Sequence, residues 1–293
     1  MKQDFNKFIK TAGRLLPDSL YLRIQYYYHF HKKLNLRNPK TFNEKLEWLK
    51  LYYRRDDMPL MVDKYRVKEY VANSIGSEYV VPLLAVWDNP AEIDFDILPQ
   101  KFVLKCNHDS GGLVICKDKG KLDFEKARRI LTEAYANNNY WHSREWPYKN
   151  LEKKVIAEQF LENPECGELL DYKFFCFNGR VKCFKIDFGR FVEHHANYFD
   201  PKGHLLPFGE VICPPVYDHE LILPSCLEEM ISLSEKLAVG FPFVRVDFYC
   251  VKDHIYFGEI TFFPAACVGR FVPDEWDGKL GEWLQLPKKK VTR

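Results

Sequence analysis

An α+β architecture built on antiparallel strand pairs is the fold class the sequence predicts, and three stretches predict it. Residues 241–264, FPFVRVDFYCVKDHIYFGEITFFP, read as two strands that break at Lys252-Asp253-His254. Val244, Val246 and Phe248 alternate there with Arg245, Asp247 and Tyr249, the period of a half-buried strand. Asn178-Gly179-Arg180 separates the apolar runs LDYKFFCFNG and RVKCFKIDF, the strongest short hairpin signal in the chain. Thr41-Phe42-Asn43-Glu44 fits a capping box that opens a helix.

Composition narrows the class. A chain of 293 residues is long enough for a large core and two or three lobes. Its 43 basic and 41 acidic residues nearly cancel, which argues against a nucleic-acid partner. Aromatics at 16% argue against disorder. The nine cysteines are scattered singly with no CxxC pair, so they read as reduced core thiols of a cytoplasmic protein rather than zinc ligands. No signal-peptide pattern is visible, and no apolar run approaches the ~18 residues of a membrane span.

In chain order, residues 1–36 are basic and aromatic, with apolar faces for two short helices broken at Pro17. They read either as a weak contact with the inner membrane face or as an ordinary helical lobe. The helix from Thr41 carries Leu46, Leu49, Leu51 and Tyr52. Asp63 is placed to cap a second helix, DKYRVKEYVANSIG, which Gly76 stops. Strands follow at 78–87, with Pro82 demoting it to an edge, and at 101–107. Gly111-Gly112 then lies between FVLK and LVIC, a strand, glycine loop and strand in which backbone N–H groups can approach phosphates. A plain hairpin turn is the simpler reading of that loop taken alone. Residues 122–141 read as one helix, 154–161 as a strand, 189–223 as a long irregular segment, and 227–237 as a helix. The expected lobes are 1–38, 39–100, 101–161 and 162–293.

Parity in the 241–264 hairpin decides whether its acids meet. A three-residue loop at 252–254 sets Asp247 opposite Glu259 and Arg245 opposite Thr261, whereas a two-residue loop without a bulge puts the acids on opposite faces. That reading places Phe257, Glu259 and Thr261 on one face. Opposed carboxylates repel unless a cation lies between them, and Mg²⁺ commonly takes one or two carboxylates plus phosphate oxygens. A hairpin edge with solvated acids is the plainer reading.

The ordered set KTFNEKLEWLKLY, DKYRVKEYV, FVLKCNHDSGG, VIAEQFL, DYKFFCFNG and RVDFY…YFGEITFFPAA resembles the ATP-grasp superfamily. Within it the chain looks most like the TupA-like (teichuronopeptide biosynthesis) proteins of bacterial surface-polysaccharide clusters, from about Pro39 to Leu286. The resemblance implies an ATP-grasp fold with an N-terminal lobe, a small β-rich ATP lobe and a C-terminal antiparallel lobe carrying Mg²⁺. It gives Lys64 and Lys105 to the ATP phosphates, and Ser110, Gly111 and Gly112 to the loop over them. Glu158, Gln159, Phe160 and Leu161 fall at the adenine hinge, Asp171 at the ribose, and Lys173 beside phosphate. Asp247, Glu259 and Thr261 match the metal-ligand positions, with threonine where many members of the superfamily carry asparagine. Arg245 matches the residue that steadies the transferring phosphoryl group. The implied reaction is ATP-dependent carboxylate–amine ligation through an acyl phosphate, with a uronic-acid carboxylate in a glycan precursor and an amino acid or other amine as expected partners. Arg190, His194, His195 and Arg270 are candidate substrate contacts, the histidines alternatively capping loop carbonyls. Two other readings stand beside this one. A glycosyltransferase would use a DxD motif, which Asp94-Phe95-Asp96 fits only formally. A sugar kinase would share every nucleotide residue named above.

Overall fold

The computed structural model describes residues 13–109, 111–162, 168–189 and 192–288. The chain forms two compact units, one of residues 56–162 and one joining residues up to 55 with those from 163 onward.

In the second of these, helix α1 (Asp18–Phe30) buries Tyr21, Leu22, Gln25 and Tyr26 and stops at His31, whose φ of 54° breaks the helical path. The residues before Gly13, and with them most of the first N-terminal helix expected from sequence, lie outside the described residues; its last turn, Gly13–Leu15, is a 3-10 turn that leaves Leu15 exposed. Helix α2 (Phe42–Tyr52) opens on the predicted capping box, Thr41 accepting from the Glu44 amide and Glu44 from the Thr41 amide. Its first turn is tied to the C-terminal part of the same unit. Asn43 binds Asp277 at 2.9 Å, and Lys45 Nζ donates to the carbonyls of Gly281 and Leu284 at 2.7 and 2.8 Å.

In the 56–162 unit, α3 (Met58–Val62) and α4 (Val67–Ser74) flank a turn at Asp63. The helix expected from Asp63 therefore starts four residues late. The Asp63 carboxylate accepts from the amides of Tyr65 and Arg66 at 2.9 and 3.1 Å and holds Lys64 in the turn. Gly76, at φ 131°, follows the helix as predicted. The sheet has strand order β1 (Leu83–Trp87), β4 (Val155–Gln159), β2 (Phe102–Cys106) and β3 (Leu113–Cys116), all antiparallel. The strand expected over 78–87 shortens to its second half and lies at the sheet edge, where Pro82 can be accommodated. Helix α5 (Phe124–Ala136) closes the core with Ala127, Leu131 and Ala134 against Leu104, Cys106 and Val155. The expected single helix over 122–141 breaks after Ala136. Asn137 turns extended, Asn138 caps the Tyr140 amide at 3.0 Å, and α6 (Tyr140–Ser143) begins anew. Because β1 pairs with β4, this unit joins residues that the sequence reading divides between two lobes.

The remaining strands form a five-stranded antiparallel sheet of order β10-β9-β5-β6-β7: β5 (Asp171–Phe177), β6 (Arg180–Phe188), β7 (His195–Phe199), β9 (Phe243–Val251) and β10 (His254–Thr261). Asn178 and Gly179, at φ 51° and 79°, make the predicted turn. The segment expected to be irregular over 189–223 carries β7 and a short strand, β8 (Gly209–Glu210). Ala196, Asn197, Tyr198 and Phe199 are buried on both faces, so β7 shows no alternation to find. Helix α7 (Leu227–Leu237) has the predicted bounds and packs on β5, β6 and β9. The face it covers carries Phe174, Cys176, Ile186, Val246 and Phe248. Strand β11 (Phe271–Val272) pairs with β8, and α8 (Glu275–Trp283) follows.

The hairpin reaches the predicted pairing by another route. Its loop has two residues, Lys252 and Asp253 at φ 50° and 62°, with Val251 opposite His254. On that count alone the acids would face apart. A β-bulge between Phe257 and Glu259 shifts the register by one, and Asp247 meets Glu259 while Arg245 meets Thr261. The bulge also corrects the expected face of Phe257, which pairs with Phe248 and is buried on the side away from the acids. Gly258 provides the extra residue. A Cβ there would come within 3.1 Å of the Asp247 carbonyl oxygen.

Candidate active site

In the 56–162 unit, Glu158 organises the polar groups. Its carboxylate is buried near the end of β4, and each oxygen carries one lysine: Lys105 of β2 on Oε2 and Lys68 of α4 on Oε1, both at 2.6 Å. Lys68 also donates to the Val81 carbonyl at 2.8 Å. Burial works to raise the Glu158 pKa, but the two ammonium groups outweigh it and hold the carboxyl below its ordinary value. Gln159 is exposed past this clasp, while Phe160 and Leu161 are half-buried. Lys68 was not among the sequence candidates, because its place on a helix reads as an ordinary solvated face.

Asn107 is the second fixed point of this unit and is fully buried. Its Nδ2 donates to Asp63 Oδ2 and the Glu152 carbonyl at 3.0 and 2.9 Å, while its Oδ1 accepts the Lys154 amide at 2.8 Å. Its backbone carbonyl accepts the Lys64 amide at 2.9 Å. Lys64 is thus placed through Asn107, two residues beyond Lys105. The loop beyond carries Asp109, which accepts from the amides of Gly111 and Gly112 at 3.2 and 3.0 Å. Gly112 lies flat on α5, where a Cβ would overlap that of Ala134. Ser110 lies outside the described residues. Asp94 and Asp96 sit in a turn before β2, where the Asp94 carboxylate accepts the Asp96 amide at 2.9 Å.

On the other unit's sheet, the face away from α7 is polar across four strands. Arg245 lies bidentate on Asp247, Nε to Oδ1 and Nη2 to Oδ2, both at 2.7 Å. The same Nη2 lies 2.8 Å from Glu259 Oε1 and 3.1 Å from Thr261 Oγ1. Lys173 Nζ, one strand over, touches Asp247 at 3.2 Å, Asp171 at 3.3 Å and Asp187 at 3.6 Å. Asp187 and Lys185 extend the row onto β6. Lys185 bonds Glu210 at 2.9 Å, and Glu210 also receives Tyr198 Oη at 2.7 Å and Cys213 Sγ at 3.1 Å. Burial pushes the Asp247 carboxyl up against the pull of Arg245 and Lys173. Burial acts the same way on Asp187, but Lys185, His194 and Lys173 prevail and hold it well below the carboxylate range.

Of the candidate substrate contacts, His194 Nε2 lies 3.3 Å from Asp187 Oδ2. His195 bonds the Pro214 carbonyl at 2.9 Å, as the loop-capping reading expects. Arg270 is exposed, and its carbonyl accepts the Val211 amide. Arg190 lies outside the described residues. Asp187, Lys185 and Glu210 were missed because charged residues alternating with apolar ones along a strand read as a solvated face.

Among the described residues, no group of three His, Cys, Asp or Glu side chains is arranged to hold a metal ion. The predicted donor set does fit one. Three oxygens, from Asp247, Glu259 and Thr261, converge on a single cationic nitrogen of Arg245, and hard oxygens are what Mg²⁺ takes. Also among the described residues, no helix is long and apolar enough to cross a membrane.

The family model for TupA-like ATPgrasp matches residues 44–285, and the chain belongs to this family. Its fold is therefore ATP-grasp. No curated protein sequence matches it. Among solved structures it is similar to D-alanine–D-alanine ligase from Bacillus anthracis complexed with ATP, at 14% identity over 70% of this chain and 54% of that one, TM-score 0.42. The Helicobacter pylori D-alanine–D-alanine ligase gives 16% identity over 77% and 62%, TM-score 0.42. An L-amino acid ligase from Bacillus licheniformis gives 14% over 84% and 55%, TM-score 0.45. The chain spans less than two thirds of the length of each.

Proposed function

We propose that the protein is an ADP-forming carboxylate–amine ligase that joins an amino acid to a uronic-acid carboxylate of a surface-polysaccharide precursor. The observation that carries this reading is the convergence of Asp247, Glu259 and Thr261 on one cationic nitrogen, with Lys173 alongside. In this reading a substrate carboxylate attacks the γ-phosphoryl group of ATP, giving an acyl phosphate and ADP. The amine then displaces inorganic phosphate and leaves an amide. Lys64, Lys105 and the glycine loop hold phosphate, with Lys105 kept in place by Glu158. Gln159, Phe160 and Leu161 receive the adenine, and Asp171 the ribose. Arg245 stabilises the charge that develops on the transferring group. Asp247, Glu259 and Thr261 would hold Mg²⁺, which supplies charge neutralisation for the phosphates. No side-chain nucleophile is needed. The uronic acid and the polysaccharide setting come from the family resemblance.

The test is incubation with Mg-ATP, D-glucuronate or D-galacturonate, and a panel of amino acids, following ADP, phosphate and product mass, with Glu259→Gln as control. ADP release that needs both substrates, with a product lighter by one water than their sum, supports the ligase. A phosphorylated sugar formed without amine dependence replaces it with a kinase. Hydrolysis of a UDP-sugar without ATP turnover replaces it with a glycosyltransferase.

A further inference from the structure

Amide formation needs a proton acceptor, since the attacking nitrogen becomes cationic as its bond to carbon forms. None of the groups assigned above is suited to that task. Lysines and Arg245 are cations, and Asp171 and Asp247 are already paired with them. One imidazole stands beside the row. His194 Nε2 lies 3.3 Å from Asp187 Oδ2, and that same oxygen lies 3.6 Å from Lys173 Nζ. Lys173 in turn touches Asp247 at 3.2 Å. His194 is thus linked through two residues, Asp187 and Lys173, to the carboxylate pair proposed to organise phosphate.

The pair has the layout of an oriented base. Asp187 is 4% exposed while the His194 side chain is 37% exposed; Nε2 is buried 3.3 Å from Asp187 without an aligned hydrogen bond, and the exposed part of the ring lies away from that atom. The charged groups that face Asp187 are Lys185 from β6, Lys173 from β5 and Arg245 from β9, and Glu193 lies 3.7 Å from the neighbouring His195.

We propose that His194, oriented by Asp187, is the base that takes the proton from the attacking amine. The proposal rests on the ligase reading. The neutral amine attacks the acyl carbon and the C–N bond forms. The C–O bond to phosphate breaks, and inorganic phosphate leaves with the electron pair. The proton lost by nitrogen passes to the accessible edge of the imidazole and then to water. His194 is the catalytic residue; Asp187 is a positioning residue that stabilises the imidazolium.

The two half-reactions separate the outcomes. Hydroxylamine traps acyl phosphates without a protein base, so hydroxamate formation with Mg-ATP and the uronates reports activation alone. Amide formation with the amino-acid panel reports both steps. His194→Gln is expected to keep the hydroxamate rate and lose about 10²-fold or more of the amide rate, with the ascending limb of the pH–rate profile removed. His204→Gln, whose exposed ring pairs with Asp200, is expected to keep both rates. An unchanged amide rate in His194→Gln, or parallel loss of amide and hydroxamate, overturns the assignment. Absence of hydroxamate with the unaltered protein overturns the ligase reading itself, and this proposal with it.

Discussion

Around Glu158, one buried carboxylate serves two lysines; around Lys173, one buried lysine serves three carboxylates. Both clusters sit on antiparallel sheets and both satisfy their charges by direct contact. They differ in the sign left over. The first has cations in excess, which suits an incoming polyphosphate. The second has carboxylates in excess even after Arg245 is counted, which suits an incoming cation. Glu158 lies deeper than its two lysines, whereas Lys173 and its three carboxylates are all buried together, where an unpaired ion is costly.

If that account is right, removing the minority charge is the largest perturbation in each. Lys173→Met leaves Asp171, Asp187 and Asp247 facing one another. We expect a loss of about 3–5 kcal/mol in urea unfolding at pH 7, shrinking as pH falls and the freed carboxyls take up protons. Retention of full stability would break the comparison. Glu158→Gln should cost less, about 2–3 kcal/mol, because its lysines are partly exposed. Its pH dependence has the same sign. The folded pKa of Glu158 lies below the ordinary 4.5, so its contribution is complete above that value and is lost as pH falls through the depressed one. Unfolding curves of the two proteins should therefore converge below pH 4.5. Gly258→Ala presses a methyl group on the Asp247 carbonyl, and about 1–3 kcal/mol is expected, together with weaker dependence of ATP turnover on Mg²⁺. Thr261→Val removes one acceptor of Arg245 and one donor to Glu259, and should lower the free energy of unfolding by only about 1 kcal/mol in the same urea measurement.

Legibility in the sequence followed the same division. Capping at Thr41, the Asn178-Gly179 turn and the helix over 227–237 are local and were readable. The Asp247–Glu259 pairing was readable as a pairing, yet the count that led to it assumed a longer loop and no bulge. Two shifts of one residue cancelled. What a bulge costs and gains depends on packing against the neighbouring strand, which no local pattern records. Strand β7 and the buried charges of β6 escaped for a related reason. Period-two reasoning assigns polar residues to solvent, and here the polar face of the sheet is itself covered. Lys68 shows the same limit on a helix.

Asn107 has one further consequence. Three stretches of chain, around residues 63, 107 and 152–154, are gauged against one side-chain amide whose two ends read differently, two hydrogens on one side and two lone pairs on the other. An aspartate has the same outline but no hydrogens to give, and a leucine the same bulk but neither. The position therefore works as a lock whose key is polarity rather than shape. Any chain that keeps Lys64 and Lys105 in this spacing has to solve the same lock, with asparagine or with a compensating change at Asp63.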